Sequence, residues 1–422
     1  MRKLSFLSFG FILLLSLSAF HSMDIPPSSP FKIAVIDAKN KESRTEVASL
    51  GISIEEVHKG YVIGLVSDEQ VKILHTLGFH VSIKAIPAFL EDFPPTDADF
   101  HNLTELNEEL KQIAEKYSNI VSLEVIGESF EKRPLYMIRI SGAPSGIEKK
   151  PGIIFLGTHH AREHLSTEVP LYLIKHLVEN YGILKMITDL IDSREIWIMP
   201  MVNPDGAFFD VEGNTPYKWW RKNRRTDSQG NAFGVDLNRN YGYKWGGQGA
   251  GKEKESETYR GEAPFSEPET KAVKAFLESH DNITLLLSYH TFSELILYPW
   301  GYTDDVIQNE KDLKVYQLLA TEMGRMTGYT PQKSSELYIT SGDTTDWSYG
   351  KLGIFSFTFE LYPKSLLQGG FYPSAENIQE VVKNNIPAAL YLIDYADNPY
   401  RILERPFQIM DRQKPIDRFA VQ

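Results

Sequence analysis

The sequence has 422 residues, 42% of them hydrophobic and 24% charged, so the chain can bury a large core. Its formal net charge of −12, with Lys and Arg scattered along the chain, argues against a nucleic-acid partner. Cysteine is absent, which excludes thiolate nucleophiles, cysteine zinc sites and iron–sulfur clusters. Any metal must therefore be bound by His, Asp or Glu.

The N-terminus has the pattern of an export signal. Arg2 and Lys3 are basic, residues 6–17 are mainly apolar, and small residues follow near positions 18–22. We predict a signal peptide over residues 1–22 and a secreted protein, either extracellular or periplasmic. A membrane-spanning helix needs about 20 apolar residues, so this shorter run favours export over a stable membrane anchor.

Residues 23–91 predict a small α+β unit followed by a linker. A helix pattern lies between Ser67, its expected N-cap, and Gly78, its expected C-cap. Prolines at positions 87, 94 and 95, with acidic residues among them, indicate an exposed linker that a protease can reach. The strands of the unit are predicted from three apolar runs: Lys32–Ile36, Tyr61–Val66 and His80–Ile86.

The next unit, residues 92–396, alternates helix and strand patterns along its whole length. This alternation predicts an α/β sheet with helices on both faces. The polar tail, residues 397–422, has no clear pattern. The predicted helices are Leu103–Tyr117, Leu165–Tyr181, Pro268–Ser279, Leu313–Thr327 and Ala375–Tyr395, and the predicted strands are Leu135–Ser141, Ile153–Thr158, Glu195–Val202, Thr284–Tyr289 and Ile354–Glu360.

Three of these strands end on residues that bind metals or transfer protons. One runs into His159 and His160, another ends on His290, and a third ends on Glu360. Functional sites of open α/β sheets gather beyond the carboxyl ends of the strands, so we expect these side chains to meet. A catalytic zinc ion has three protein ligands and one open position, which this set of residue types can provide.

The stretch "HHAREH" supplies the remaining ligands, but its spacing alone leaves three pairs open. These are His160 with Glu163, His159 with Glu163, and His164 with Glu168. The pattern His-Glu-x-x-His, which places two ligands on one helix of many metalloproteases, is absent.

The motifs that follow "HHAREH" resemble, in their order, the zinc metallocarboxypeptidases of the carboxypeptidase A/B family. The likeness covers roughly residues 92–395, and "DFPPTDADFHN" is similar to the bacterial carboxypeptidase T branch. The resemblance implies release of single residues by hydrolysis of the C-terminal peptide bond. It also implies a mixed parallel and antiparallel central sheet with helices on both faces, preceded by a small α+β pro-segment. The motifs are "PMVNPDG", "WWRKNRR", "VDLNRNYGYKWG", "ETYRGEAPFSEPET", "SYHTFSELILYPWGY", "LYITSGDTTDWSYG" and "FSFTFEL".

The resemblance settles the choice among the ligand pairs. It implies one catalytic Zn²⁺ held by His160, Glu163 and His290. Asp236 would orient His160 by accepting a hydrogen bond from its other ring nitrogen. Glu360 would be the general base that takes a proton from a zinc-activated water. His159 and His164 are expected to be structural.

The resemblance also assigns the residues that bind the substrate. Arg221 would polarise the scissile carbonyl and stabilise the oxyanion. Asn238 and Arg239 would bind the C-terminal carboxylate, and Tyr338 would close over it. The neighbouring basic residues, Lys222, Arg224 and Arg225, are expected to be solvated.

Two further residues, Asp343 and Thr345, bear on which C-terminal side chain is accepted. In the family an apolar residue at the position of Thr345 accompanies aromatic or aliphatic preference, and an aspartate there accompanies Lys and Arg preference. Thr345 is small and neutral, while Asp343 offers a charge at the pocket edge. We therefore expect cleavage after both hydrophobic and basic C-terminal residues.

Residues 23–91 occupy the place of the inhibitory pro-segment in this family. We expect them to cap the cleft until an activating protease cuts the linker within Ile86–Pro95. The resemblance also implies structural Ca²⁺ on acidic loops and peptide or protein C-termini as substrates. The chain is expected to be a monomer.

Two alternatives remain open on the sequence. One is a hydrolase of the same fold with a specialised substrate, such as a cell-wall peptide or an N-acyl amino acid. The other is a non-catalytic peptide-binding relative. The residues Arg221, Arg239, Tyr338 and Glu360, which such proteins are expected to lose in part, are all present.

Overall fold

The computed structural model describes residues 32–84, 99–142, 149–211 and 217–404. The predicted signal peptide, residues 1–22, lies outside the described residues, as do most of the predicted linker and the tail after residue 404. Among the described helices, none combines the length and the hydropathy needed to cross a membrane.

The described part of the N-terminal unit, residues 32–84, is a four-stranded antiparallel sheet in the order β2-β3-β1-β4, with two helices packed on it. Each helix begins with a capping box, formed by Asn40 with Ser43 and by Ser67 with Gln70. The sequence predicted the second helix and three of the strands, and missed α1 and β2. The elements are β1 (Lys32–Ala38), α1 (Lys41–Ser49), β2 (Ser53–His58), β3 (Gly60–Val66), α2 (Asp68–Thr76) and β4 (Val81–Lys84).

The remainder of the described chain forms a mixed eight-stranded sheet in the order β11-β10-β12-β9-β7-β8-β6-β5. The four central strands, β12, β9, β7 and β8, run parallel, and antiparallel pairs join them to β10 and to β6. The strands are β5 (Val121–Glu128), β6 (Pro134–Ile140), β7 (Gly152–Leu156), β8 (Glu195–Met199), β9 (Ile283–Thr291), β10 (Leu295–Tyr298), β11 (Thr330–Lys333) and β12 (Phe355–Leu361).

Helices cover both faces of this sheet, which confirms the predicted architecture. In β7, Ile153 and Phe155 pack into a core with α4, α8 and α10, while Ile154 and Leu156 pack on the opposite face with α7 and α9. A strand buried on both faces reads as a continuous apolar run, as β7 does. The helices are α3 (Leu103–Lys116), α4 (Leu165–Asn180), α5 (Lys185–Ser193), α6 (Pro204–Val211), α7 (Pro268–Ser279), α8 (Glu310–Thr327), α9 (Thr344–Leu352) and α10 (Ile378–Tyr395).

The carboxyl ends of the parallel strands lie side by side at one edge of the sheet. The ladder between β12 and β9 pairs Glu360 with His290, and β7 is the next strand along. The turn after β7 carries His159 and His160. The three strand ends singled out in the sequence therefore meet, as predicted.

Candidate active site

Three buried side chains from this edge converge on one point. Glu163 Oε1 lies 2.7 Å from His160 Nδ1, and Glu163 Oε2 lies 2.9 Å from His290 Nδ1. The two Nδ1 atoms are 3.1 Å apart. Within the described ranges this is the only group of three such side chains whose donor atoms lie within 4.8 Å of one another.

The turn that carries His160 and Glu163 is tied to the start of α4. Thr158 leaves β7 with φ 52°, which turns the chain sharply away from the strand direction. Its backbone N–H donates to Ser166 Oγ at 3.0 Å, and Ser166 Oγ donates to the Glu163 carbonyl at 2.5 Å. These contacts fix the turn so that the histidine and the glutamate face the same side.

The histidines of the group are neutral and present a ring nitrogen lone pair to it. Burial, followed by the positive charge of Arg221, lowers the pKa of His160 to about 4 and that of His290 to about 3. His160 Nε2 lies 3.1 Å from Asp236 Oδ1, so this nitrogen carries the proton and donates it. The lone pair of His160 Nδ1 is then free for a metal ion.

Asp236 connects the histidine to an arginine. Its Oδ2 accepts from Arg221 Nε and lies 3.0 Å from both Nε and Nη2. Burial alone would raise the pKa of Asp236, but Arg221 and His160 outweigh burial and hold that pKa well below its ordinary value. Arg221 Nη1 lies 4.0 Å from Glu163 Oε1, so the guanidinium is beside the three-residue group.

Glu360 is a further carboxylate outside the group, on the strand that pairs with the strand of His290. It is half-buried in β12, next to His290 in the parallel ladder. Burial, followed by the negative charge of Glu163, raises the pKa of Glu360 well above its ordinary value. A cation bound between the two carboxylates would oppose this shift.

Asn238 and Arg239 lie on the short 3-10 turn that follows Asp236. The Asn238 backbone N–H donates to Asp236 Oδ1 at 2.9 Å, which fixes the turn. Arg239 is buried, and its Nη1 donates to the Asn238 carbonyl at 2.8 Å. Gly342 packs against the Arg239 carbonyl with φ 76°, and a Cβ atom there would lie 2.5 Å from that oxygen, so only glycine fits.

Tyr338 packs against the hydrophobic core of the N-terminal unit. Burial raises its pKa, while the positive charges of Arg239 and Arg221 lower it. The side chain therefore lies within the electrostatic reach of both arginines, although it is packed under residues 32–84.

Asp343 is the N-cap of α9 and uses only one of its carboxylate oxygens. Oδ1 accepts from the Asp346 backbone N–H and from Thr345 Oγ1, both at 2.8 Å. Oδ2 is buried and has no hydrogen-bond partner among the described residues. A Cβ atom on Gly301 would lie 3.1 Å from Oδ2, so a larger residue there would crowd this oxygen.

The donor set of the three-residue group suits zinc. Two neutral imidazole nitrogens and a carboxylate leave a fourth coordination position open, as catalytic zinc sites do. Three acceptor groups at these short separations repel one another unless a cation lies between them. His160, Glu163 and His290 therefore fit a catalytic Zn²⁺.

A comparison with known proteins agrees with this geometry. The family model described as "Zinc carboxypeptidase", peptidase M14, matches residues 106–388. A zinc carboxypeptidase from Saccharothrix mutabilis subsp. capreolus is 36% identical over 323 residues, which cover 75% of this chain and 74% of that protein. The chain is a zinc carboxypeptidase of the peptidase M14 family.

Solved structures show the same fold. The carboxypeptidase A of Helicoverpa armigera superposes with a TM-score of 0.73 at 24% identity, covering 88% of this chain and 98% of that one. Thrombin activatable fibrinolysis inhibitor superposes with a TM-score of 0.70 at 26% identity, covering 87% of this chain and 99% of that one. This zinc carboxypeptidase is an exopeptidase that hydrolyses C-terminal peptide bonds.

The other polar residues of "HHAREH" lie outside the three-residue group. His159 Nε2 lies 2.9 Å from Tyr241 Oη, and His164 Nε2 lies 3.0 Å from Asp210 Oδ2. Glu168 accepts from the His101 backbone N–H and contacts its ring rather than pairing with His164. The expectation that Lys222 is solvated is wrong, since its ammonium is buried and donates to the carbonyls of Lys254 and Ser256.

Sequence reasoning missed the role of Arg162, which lies inside the metal-binding turn. The guanidinium is fully buried and pairs with Glu257 and with Glu55 of the N-terminal unit, at 2.8 Å each. Its partners are 95 and 107 residues away in the sequence, and no local pattern signals such a contact.

Proposed function

We propose that this zinc carboxypeptidase removes both hydrophobic and basic C-terminal residues, as in the carboxypeptidase T branch, and that residues 32–84 inhibit it until they are released. The observation that carries the first part is the buried, unpaired Oδ2 of Asp343. The second part is supported by the contacts between the N-terminal unit and the residues around His160, Glu163 and His290, called the metal group below.

The reaction follows from the positions of the side chains around the metal group. Bound zinc supplies a Lewis acid for the scissile carbonyl and lowers the pKa of a water molecule to about 7. Glu360 takes the proton of the attacking water and later delivers it to the leaving amine nitrogen. Arg221, held by Asp236, donates hydrogen bonds to the carbonyl oxygen as negative charge develops on it.

Recognition of the free C-terminus falls to Asn238 and Arg239. Both lie on the turn next to Asp236, and Asn238 Nδ2 lies 3.5 Å from His290 Nε2. A carboxylate bound there would place the preceding peptide bond near the metal group. Arginine binds carboxylates through two parallel hydrogen bonds, which gives an exopeptidase its requirement for a chain end. Tyr338 would close over the bound residue after the N-terminal unit has left.

A charge at Asp343 beside a small, neutral Thr345 supports the mixed specificity. Burial, followed by the neighbouring Asp343, raises the pKa of Asp346 well above its ordinary value. A Lys or Arg side chain would pair with Oδ2, while an apolar side chain would fill the same space without needing that oxygen.

Replacing Asp343 with asparagine tests this assignment. Asn keeps Oδ1 for the N-cap of α9 and removes the charge, so kcat/KM for peptides ending in Lys or Arg is expected to fall by about tenfold or more. Peptides that end in Phe or Leu should change by less than about threefold. Equal rates for wild type and Asp343→Asn on Lys-ended peptides would contradict the proposal.

The N-terminal unit contacts the loops around the cleft at several points. The Ile339 backbone N–H donates to Thr45 Oγ1 at 3.1 Å, and Arg44 Nε donates to the Leu337 carbonyl at 2.6 Å, so α1 holds both sides of Tyr338. Glu55 reaches Arg162 in the metal-binding turn. The superposition with thrombin activatable fibrinolysis inhibitor covers 87% of this chain, a larger share than residues 99–404 make up. The name of that protein describes it as activatable.

Three parts of the proposal rest on the sequence alone. Secretion, to the exterior or the periplasm, follows from the signal pattern in residues 1–22. Bound Ca²⁺ is proposed from the resemblance to the family, and a monomeric state is proposed without a residue that carries it. Their tests are N-terminal sequencing of the exported protein, metal analysis and sedimentation.

The first experiment is a peptide panel. Peptides that differ only in a C-terminal Phe, Leu, Lys, Arg or Glu are incubated with the linker-cleaved protein, with and without a zinc chelator, and products are identified by mass spectrometry. We expect loss of one residue from the Phe, Leu, Lys and Arg peptides, abolished by the chelator and restored by zinc. No release from any peptide by the zinc-loaded protein would favour a specialised substrate or a non-catalytic relative.

A further inference from the structure

The buried histidine His159 and the first residue of α9, Thr344, form a hydrogen-bonded chain that ends at Asn238. His159 Nε2 lies 3.2 Å from Thr344 Oγ1, and Thr344 Oγ1 lies 2.9 Å from Asn238 Oδ1. His159 is fully buried, and its ring stacks on that of His290 with the ring centroids 5.6 Å apart. These hydrogen bonds link His159, a histidine of "HHAREH" that is not in the metal group, to Asn238, which is expected to bind substrate.

The direction of each hydrogen bond in this chain follows from its chemistry. The Thr344 backbone N–H, which can only donate, lies 2.9 Å from the Asn238 side chain. The oxygen of the Asn238 amide must therefore face Thr344, and the Thr344 hydroxyl must also donate to it. The amide nitrogen, with its two N–H donors, is left on the side of His290, 3.5 Å from His290 Nε2.

His159 completes the arrangement. Because the only proton of the Thr344 hydroxyl goes to Asn238, the lone pairs of that oxygen accept from His159 Nε2–H. His159 Nδ1 then accepts from Ser288 Oγ, which lies 3.4 Å away, and the same Nε2–H also faces Tyr241 Oη at 2.9 Å. Both nitrogens of the buried ring thus have a partner, and Nε2–H is shared between the oxygens of Thr344 and Tyr241.

We propose that Thr344 and His159 are positioning residues that hold the Asn238 amide with its nitrogen toward the substrate, so that it donates to the C-terminal carboxylate. A rotated amide would present its oxygen to that carboxylate and repel it. The inference rests on the proposed role of Asn238 in binding the carboxylate. It gives a function to His159, which the zinc site does not use.

The test compares four forms of the full chain after limited proteolysis of the linker: wild type, Thr344→Val, Thr344→Ser and Ser348→Ala. The substrate is an N-acylated dipeptide with a free C-terminal carboxylate. Thr344→Val is expected to raise KM by about two- to tenfold, the effect of one hydrogen bond, with kcat changed by less than about twofold. Thr344→Ser keeps the hydroxyl and should retain the wild-type KM.

Ser348→Ala is the matched control on the same helix. The Ser348 hydroxyl is buried and donates to the Thr344 carbonyl at 2.7 Å, but it does not contact Asn238. Its loss should lower the melting temperature without changing KM. An equal rise in KM for Ser348→Ala and Thr344→Val would mean that both act through general stability, and would overturn the proposal.

A double-mutant cycle separates the inference from the proposed function on which it rests. If Thr344 acts through Asn238, Thr344→Val should not change KM further in an Asn238→Ala background. If Thr344→Val raises KM by the same factor with Asn and with Ala at position 238, the inference is overturned while the role of Asn238 stays intact. A normal KM for Asn238→Ala itself would refute the role of Asn238, and the inference with it.

His159 provides a second set of variants if Thr344→Val does not fold. His159→Leu removes the donor to Thr344 and is expected to raise KM as Thr344→Val does, without adding to it when the two are combined. His159→Gln retains an N–H donor and should lie nearer to wild type. Zinc content is measured in every variant. A rise in KM that tracks the loss of zinc, and that is the same whether residue 238 is Asn or Ala, would overturn the proposal.

Discussion

Replacing Glu360 with glutamine is expected to lower kcat by about a thousandfold or more, while the protein stays folded and keeps its zinc. General acid–base groups contribute about a hundred- to ten-thousandfold to such reactions. Glutamine has the shape of glutamate but cannot take a proton from water. Because Glu360 is not in the His160, Glu163 and His290 group, its loss should leave the metal ligands intact.

The measurement is kcat and KM on a peptide with a free C-terminus, together with zinc content by atomic absorption. KM is expected to change by less than about threefold, since Glu360 is proposed to act on the water and the leaving group. Glu195→Gln is the matched control, because Glu195 is also a strand glutamate but lies at the start of β8, where it pairs with Arg139. A zinc-loaded Glu360→Gln protein with a tenth or more of the wild-type kcat would show that another group is the base.

The sequence predicted the central sheet better than its margins. β7 and β9 were recognisable because strands buried on both faces are continuous apolar runs. β10 and β11 were missed, since each has four residues, too few for a periodic signal. β5 was missed although its first five residues alternate between apolar and polar, since the alternation ends at the register shift between Val125 and Gly127.

Spacing alone could not decide which residues of "HHAREH" bind the metal. His159 and His160 are adjacent, and either is compatible with Glu163 in sequence. Two structural features separate them. One is the positive φ of Thr158, and the other is a set of hydrogen bonds that tie the turn to Ser166 of α4 and to the Arg221 carbonyl. These contacts send His159 into the core behind the site and His160 toward Glu163. The resemblance to the family supplied the correct pair because it carries that three-dimensional information.

The contact between Glu55 and Arg162 shows a second limit of the sequence. The N-terminal unit was expected to cap the cleft, but no residue of it could be named. Glu55 is one of many acidic residues in a chain of net charge −12, and nothing local distinguishes it. Its partner is set by how two separately folded sheets dock, and docking depends on shape and charge over several elements at once.

Cutting the chain within Ile86–Pro95 is expected to raise kcat/KM on peptides by on the order of a hundredfold. In the intact chain, α1 holds both sides of Tyr338, and Glu55 covers Arg162 beside the metal group. If the unit inhibits as proposed, substrate enters only in the small fraction of molecules in which the unit has moved away. The measurement is the rate of release of one C-terminal residue before and after limited proteolysis, with the cut position read by mass spectrometry.

Glu55→Gln should partly relieve the proposed inhibition in the uncut chain. Removing one partner of a buried ion pair weakens the docking of the unit, so basal activity is expected to rise by about tenfold. Glu69→Gln is the matched control, since Glu69 is an exposed acidic residue of the same unit, on α2. An intact chain that digests peptides as fast as the cut one would identify the N-terminal unit as a permanent accessory domain.

Inhibition by the cut unit should depend on protein concentration. The chain has no cysteine, so only non-covalent contacts retain the unit after cleavage. A short tether gives an effective concentration of about 1 mM, and cutting it in a solution of about 1 µM protein lowers that concentration roughly a thousandfold. Dilution of the cut protein should therefore increase specific activity, and added N-terminal unit should suppress it again, less strongly when the added unit carries Glu55→Gln. Specific activity that is independent of dilution and of added unit would show that cleavage acts by some route other than release.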